Sequence, residues 1–454
     1  MFNPIDMIIL VGVLLTLVFC GFHIAVSLGL TSLLGIYLIN GDMEMVQRFS
    51  AGTAYEALRD YVFAVIPLFM LMGEFLAKCG AARDLFTLIN RLTKWVPGRL
   101  GVATVLANAV FAFVTGVSIA AAAAFSKIAH PEMRRFGYER KFSLGCIAGS
   151  ACLGMLIPPS VLMIVWGVLT ELAIGKLFIA GIIPGLLVVS LYIGYIIWVA
   201  KVHPERVGEG DNLPTEQLAA RNANDLEEQA SLTTILWSTL GIITLVFLVL
   251  GGIWLGAFTP TEGAGVGATL ALILALLRGM RGKEMVEVIL SVGKTSAPLL
   301  LLLVTAQLYS RVLATTGITG AAKEFFLSSG LSPYVILTLM VLVWFILGCI
   351  IDSISIILLT VPVFAPVAVA VGFDPIAFAI LGILAIETGL LTPPFGILVF
   401  TVKAAVTDEK NLSVSEIFSG SVAYWIALLT AIIVIAVFPK IATWLPSLGN
   451  TLVP

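Results

Sequence analysis

The chain is a succession of apolar runs with few charges, most of them about 20 residues long, the length a helix needs to cross the hydrocarbon core of a bilayer. Such runs lie at roughly 5–20, 23–39, 62–78, 142–170 and 177–200, and again at 233–253, 258–277, 295–314, 376–402 and 417–438. Backbone N–H and C=O groups in hydrocarbon must be satisfied inside their own segment, so the expected fold class is all-α and polytopic. Composition agrees: of 454 residues 59% are hydrophobic and 11% charged, against about a quarter charged in soluble domains. The first run has the length of a signal peptide, but no basic segment precedes Met7 and no small-residue cleavage site follows Cys20, so it is read as the first span.

Two further apolar stretches, 101–129 and 333–368, are too long for one crossing, and each is interrupted near its middle by polar or glycine residues. Lysine and arginine in short loops collect on the cytoplasmic side, which gives a way to place them. If both stretches are re-entrant hairpins, the loops at 78–99, 127–141, 201–230, 278–294 and 403–410 share one side and hold 19 of the 25 basic residues. The other side keeps Arg48, Arg59, Lys176, Arg311, Lys323 and Lys440. A full crossing at 101–129 would instead split the basic clusters around Arg91 and Arg134. The expected architecture is therefore about ten transmembrane helices plus two re-entrant hairpins, with both termini periplasmic.

The polar stretch from Lys201 to Gln229 divides the chain into similar halves. Gly154-Met155-Leu156-Ile157-Pro158-Pro159-Ser160 lies against Gly389-Leu390-Leu391-Thr392-Pro393-Pro394-Phe395, and Leu76–Gly80 against Leu313–Gly317. Residues 1–200 (spans within 5–78, hairpin 101–129, broken helix 142–170, span 177–200) and 233–454 (spans within 233–314, hairpin 333–368, broken helix 376–402, span 417–438) read as two repeats around a cytoplasmic linker, 201–232. The first begins outside and the second inside, so the repeats are inverted, as in many secondary transporters.

A Pro-Pro pair inside an apolar span removes two donors and breaks the hydrogen-bond ladder, leaving carbonyls and a half-helix N-terminus free at bilayer depth. Carbonyls and hydroxyls suit a hard cation such as Na+, and a half-helix N-terminus suits an anionic substrate group. Candidate residues are Ser150, Pro158, Pro159 and Ser160 in the first half and Thr388, Thr392, Pro393, Pro394 and Gly396 in the second. The alternative is a pair of prolines that only kink buried helices. The hairpin tips add Thr115, Gly116 and Ser118 on one side and Gly348, Asp352 and Ser353 on the other. Asp352 is either an intramembrane site acid or a residue on the solvated rim of its tip. Glu387 is either a site acid or the partner of a neighbouring polar group, while Glu74 and Glu262 are read as structural.

Other functions lack their residues. The formal charge of −2 points to no nucleic acid. The five cysteines stand singly in apolar segments and the three histidines are scattered, so no transition-metal site or disulfide framework is expected. Gly293-Lys294-Thr295 ends like a phosphate-binding loop, but Val288 occupies the position of its first glycine. HExxH and GxSxG motifs are absent. An ion gradient remains as the energy source.

Taken together, Ile66–Glu74 (IPLFMLMGE), Ile157-Pro158-Pro159-Ser160, Gly175–Gly185 (GKLFIAGIIPG), Phe258–Glu262 (FTPTE) and Gly389–Gly396 (GLLTPPFG) make the chain resemble the large membrane subunit of tripartite ATP-independent periplasmic (TRAP) transporters, the DctM family. The resemblance covers nearly the whole length. It implies a bacterial inner-membrane, elevator-type carrier that imports a small organic acid, a C4-dicarboxylate or a sialic-acid-like carboxylate, driven by Na+. It further implies two partners, a small membrane subunit on a separate chain and a periplasmic substrate-binding protein. In such carriers the hairpins and broken helices form a mobile body within a lipid-embedded scaffold that has arm helices, here Met43 to Asp60 and 278–294. Ion sites are then expected where Ser118 meets the Pro158 region and where Gly348 to Ser353 meet the Thr392 region. One departure stands out: relatives often carry Ser-Gly-Ser-Ser at the first tip, and Val117 here has no side-chain ligand. The competing readings are a stand-alone divalent-anion symporter with no binding protein and a membrane-embedded enzyme.

Overall fold

The computed structural model describes residues 4–209, 232–407, 409 and 411–452, so most of the expected linker, 201–232, lies outside the described residues. In the first half the helices are α1 (Pro4–Phe19), α2 (Ile24–Asn40), α3 (Met43–Arg59), α4 (Val65–Lys78), α5 (Ala81–Leu92), α6 (Arg99–Thr115), α7 (Ser118–Arg135), α8 (Arg140–Ala151), α9 (Leu153–Leu156), α10 (Val161–Thr170) and α11 (Ile174–Val202). The second half supplies α12 (Leu232–Trp254), α13 (Pro260–Leu277), α14 (Gly282–Thr315), α15 (Ile318–Ser328), α16 (Pro333–Gly348), α17 (Ser353–Ala370), α18 (Pro375–Gly389), α19 (Ile397–Ala405), α20 (Val414–Val437) and α21 (Lys440–Leu452). From α5 and α15 onward the same order recurs at a nearly constant offset: short helix, helical hairpin, interrupted helix, long helix.

Seven helices or interrupted helices are long and apolar enough to span a bilayer, and six shorter apolar helices accompany them among the described residues. Their burial separates two roles. The most apolar window of Arg140–Thr170 is 89% buried inside the protein, that of Gly282–Thr315 only 28%. The interrupted helix is thus core, and α14 turns most of its apolar surface outward, as a lipid-facing helix does.

Packing follows the same division. Helix α4 lies on α13 and α14, α2 on α14, and α12 on α5 and α13. A second group gathers the hairpins and interrupted helices: α7 on α8 and α19, α16 on α18, and α10 on α17. The long helices α11 and α20, which the resemblance alone would leave with the scaffold, pack on α6, α8 and α18 and belong to this second group. Arg134 and Arg140 of the first half both reach Glu409, and Arg140 also pairs with Glu416, joining the halves at this end of the body.

The sequence expectations need two adjustments, and the structural reading of Glu262 and Glu74 holds. The expected arm 278–294 and span 295–314 form one continuous helix, α14, which runs through Pro298. Helices α5, α15 and α21 were not expected as separate elements. Glu262 is a cap, its carboxylate accepting the Thr259 N–H at 2.8 Å while Thr259 Oγ1 accepts the Glu262 N–H, and Pro260 starts the helix. Glu74 accepts from Ser291 of α14.

A close helix crossing joins α8 to α20. Gly145 and Gly149 lie one turn apart on α8, in the small-xxx-small spacing that lets membrane helices touch backbone to backbone. A Cβ at Gly145 would stand 2.1 Å from the carbonyl carbon and oxygen of Gly420, and one at Gly149 would stand 2.2 Å from the Tyr424 ring.

Candidate functional site

Both interrupted helices break where the prolines predict. Between α9 and α10, residues 157–160 leave the helix, with a cis Pro158–Pro159 peptide, and Ser160 caps α10 by accepting the Met163 N–H. The Ser160 hydroxyl donates to the Met155 carbonyl, closing the break on itself. Between α18 and α19, residues 390–396 do the same with a cis Pro393–Pro394 peptide, and Gly396 precedes α19. The two breaks differ in exposure. Pro158, Pro159 and Ser160 are buried, whereas Pro393, Pro394 and Phe395 are exposed and Thr392 lies buried behind them.

Each hairpin tip sits on the break of its own half. The α6–α7 turn passes through Gly116 in the left-handed region (φ 60°), and its carbonyl accepts the Val161 N–H at 3.2 Å. A Cβ on Gly116 would stand 2.5 Å from the Pro159 carbonyl oxygen, and one on Gly154 would stand 2.9 Å from the Ser118 backbone. At the second tip, Gly348 and Gly389 cross so closely that a Cβ on either would lie within 2.8 Å of the other's Cα. There the Cys349 thiol and the Thr392 hydroxyl are 2.9 Å apart.

The glycines of the sequence motifs have related uses. Gly73 of Ile66–Glu74 lets α4 approach the end of α6, where a Cβ would stand 2.6 Å from the Val114 carbonyl. Gly181 and Gly185 open α11 to the first break, with Cβ positions 2.7 Å from the Leu156 carbonyl and 2.8 Å from Ile157.

The two halves meet at Glu387. This α18 carboxylate is 1% exposed; one oxygen accepts from Ser118 Oγ at 2.7 Å and the other from Ser353 Oγ at 3.3 Å. The Cys152 thiol donates to the Glu387 carbonyl. Leaving a buried carboxylate without partners would cost several kcal/mol. Here two hydroxyls answer it.

The remaining candidates divide. Thr115, Thr388 and Thr392 donate their hydroxyl protons to carbonyls of their own segments, Phe111, Leu384 and Gly389, and keep lone pairs free to accept. Ser150 is buried with Asn108, whose amide donates to it at 2.6 Å. Asp352 is exposed at the rim of the second tip and caps α17, accepting from the N–H and hydroxyl of Ser355. It lies outside the hydrogen bonds at Glu387. Asn108 was missed by sequence reading; a lone amide inside an apolar hairpin arm was the available signal. Its Oδ1 is buried with no partner among the described residues. No group of three or more histidine, cysteine or acidic side chains able to hold a metal ion occurs among the described residues. The donor set is hydroxyl, carbonyl and one carboxylate, the oxygen chemistry that hard cations take.

A family model described as "Tripartite ATP-independent periplasmic transporter, DctM component" matches residues 11–441. The chain belongs to the DctM family. It is accordingly a multi-pass membrane component of a transporter, and its relatives are permeases rather than enzymes. The C4-dicarboxylate TRAP transporter large permease protein DctM of Pseudomonas aeruginosa is 35% identical over 93% of this chain and 94% of its own. The sialic acid permease protein SiaM of Vibrio cholerae is 28% identical over 96% of this chain and 97% of its own. The ectoine permease protein TeaC of Halomonas elongata is likewise 28% identical, over 97% and 99%. Among solved structures, the Alcanivorax borkumensis YdaH transporter superposes with a TM-score of 0.59 over 90% of each chain at 14% identity, a likeness of fold alone. DctM membership also implies a small membrane subunit and a periplasmic binding protein.

Proposed function

We propose that this DctM chain is the large transmembrane subunit of a Na+-gradient-driven importer of a small organic acid, with a C4-dicarboxylate or a sialic-acid-like carboxylate as the substrate class. It works in the bacterial inner membrane with a separate small subunit and a periplasmic binding protein that delivers the acid. The observation that carries the reading is the meeting of two hairpin tips and two helix breaks around Ser118, Ser353 and Glu387. Oxygen donors gathered at broken helices suit Na+, and half-helix N-termini suit a substrate carboxylate. The hairpins, breaks, α11 and α20 form one packed body, which moves as a unit against the scaffold in an elevator cycle. The repeats are inverted and both termini face the periplasm, in keeping with the distribution of basic residues.

Proteoliposomes holding both membrane subunits, with the cognate binding protein and its acid outside, test this directly. Replacing the inward Na+ gradient by K+ lowers the initial uptake rate at least about tenfold, as expected when ion binding selects the transporting state. Equal uptake in both conditions would defeat the ion coupling, and uptake by this chain without a binding protein would favour the stand-alone symporter.

The geometry also ranks two substitutions. Ser118→Ala removes a buried donor to Glu387 and raises the half-saturating Na+ concentration by roughly fivefold or more. Asp352→Ala removes an exposed cap worth about 1 kcal/mol and acts mainly on thermal stability. Na+ titrations of uptake beside melting curves separate the two. The reverse order would move the ion site towards Asp352.

A further inference from the structure

Glu387 hydrogen-bonds to the tips of both hairpins, and so to both halves of the chain. Ser118 and Ser353 are the first residues of α7 and α17, so the N-terminal ends of two helices face one carboxylate, each end carrying about half a positive charge. Helix α17 has Asp352 as its own cap, while the cap position of α7 is Val117, with no side-chain hydrogen bond. The first tip thus takes its anionic partner from the other half of the chain.

We propose that Glu387 couples the two hairpin tips, so that an ion bound at one raises the affinity at the other. The inference rests on the ion-gradient reading above and assigns Glu387 as a positioning residue for both tips. A serine hydroxyl has one proton and two lone pairs. With the proton committed to Glu387, the lone pairs of Ser118 and Ser353 turn away from the carboxylate, towards an arriving cation. A cation on one hydroxyl polarises it, tightens its bond to Glu387 and fixes the carboxylate rotamer. The second oxygen is then already aimed at the other serine, and the second ion meets a smaller ordering cost. The two ends start unequal: the Ser118 bond is 2.7 Å beside the buried first break, and the Ser353 bond is 3.3 Å beside the exposed second break. The second tip therefore has more to gain from ordering.

Glu387→Gln keeps the shape of the side chain but turns one acceptor oxygen into a donor, so it can accept from only one serine. The measurement is Na+-dependent uptake by the complete transporter in proteoliposomes. The wild-type curve is expected to be sigmoidal. In Glu387→Gln the Hill coefficient falls to 1 and half-saturating Na+ rises about tenfold, within the usual range of coupling between sites. Ser118→Ala and Ser353→Ala, singly and together, give a second readout that leaves Glu387 in place: their shifts in half-saturating Na+ are non-multiplicative. This pair decides the matter should Glu387→Gln fail to fold. A wild-type transporter indifferent to Na+ would overturn the ion-gradient reading itself. A Na+-dependent transporter in which Glu387→Gln keeps the wild-type Hill coefficient, or in which the two serine shifts simply multiply, overturns the coupling alone.

Discussion

Gly145→Val removes the folded protein. The new Cβ would lie 2.1 Å from both the carbonyl carbon and oxygen of Gly420, and a backbone neighbour cannot rotate away as a side chain can. Relief comes only by moving α20 off α8. Because α8 is core and α20 packs on both α8 and α18, that shift also opens the seat of Tyr424 on Gly149. Overpacking a well-packed core typically costs about 1–3 kcal/mol, and a backbone-to-backbone clash lies at the upper end or beyond. No hydrophobic effect drives helices together in lipid, so lost van der Waals contact at such a crossing is not recovered elsewhere. The expected result is loss of the monodisperse peak after detergent extraction for Gly145→Val and Gly145→Ala alike, because both carry the Cβ that meets the Gly420 backbone. Gly194→Val on α11, where a Cβ meets nothing within 4 Å, leaves the peak and the melting curve near wild type. A normal peak and melting curve for Gly145→Val would show that α8 and α20 do not cross there.

That crossing also shows what a sequence yields and what it withholds. Apolar run length marked the long helices and the two helix-turn-helix stretches, because lipid imposes that pattern on any chain that crosses it. The repeated Pro-Pro pairs located the breaks, since proline acts on the backbone wherever it sits within a helix. Pro298 marks the limit of that rule: α14 continues through it, so a single proline did not divide the arm from the span. The amphipathic helices α5 and α21 carry too many polar residues to stand out as spans, and α15 is too short. Gly145-xxx-Gly149 was visible in the sequence, but nothing local said which helix would fill it. Glu387 posed the same problem more sharply. Its two serine partners lie 269 and 34 residues away, and one belongs to the other half of the chain. Asp352 stood out because acids are rare at membrane depth, yet its contacts with Ser355 are those of an ordinary helix cap. Local chemistry was legible, and the resemblance implied that each tip meets its own break; the meeting of both tips at Glu387 was not legible.

Gly116→Ala and Gly348→Ala separate transport from folding. At Gly116 the substitution meets two obstacles, a left-handed backbone that costs a residue with a Cβ roughly 1–3 kcal/mol and a Cβ position 2.5 Å from the Pro159 carbonyl. At Gly348 the backbone is helical, and the obstacle is a Cβ position 2.8 Å from the Gly389 Cα. Tip residues can withdraw by a few tenths of an ångström without unpacking α6–α8 or α16–α18, so the protein survives extraction. Withdrawal has a specific consequence at each tip. It stretches the Val161 to Gly116 hydrogen bond and carries Ser118 away from Glu387 in one case, and it separates Cys349 from Thr392 in the other. Misplacement of about 1 Å at a site that relies on positioning can cost as much as a hundredfold, so initial Na+-driven uptake is expected to fall at least about tenfold in each variant. Gly320→Ala, a helical position with open space around its Cβ, should transport normally. Uptake rates normalised to folded protein in the membrane decide the outcome. Full activity in both tip variants would mean that neither hairpin must seat on its break during the cycle.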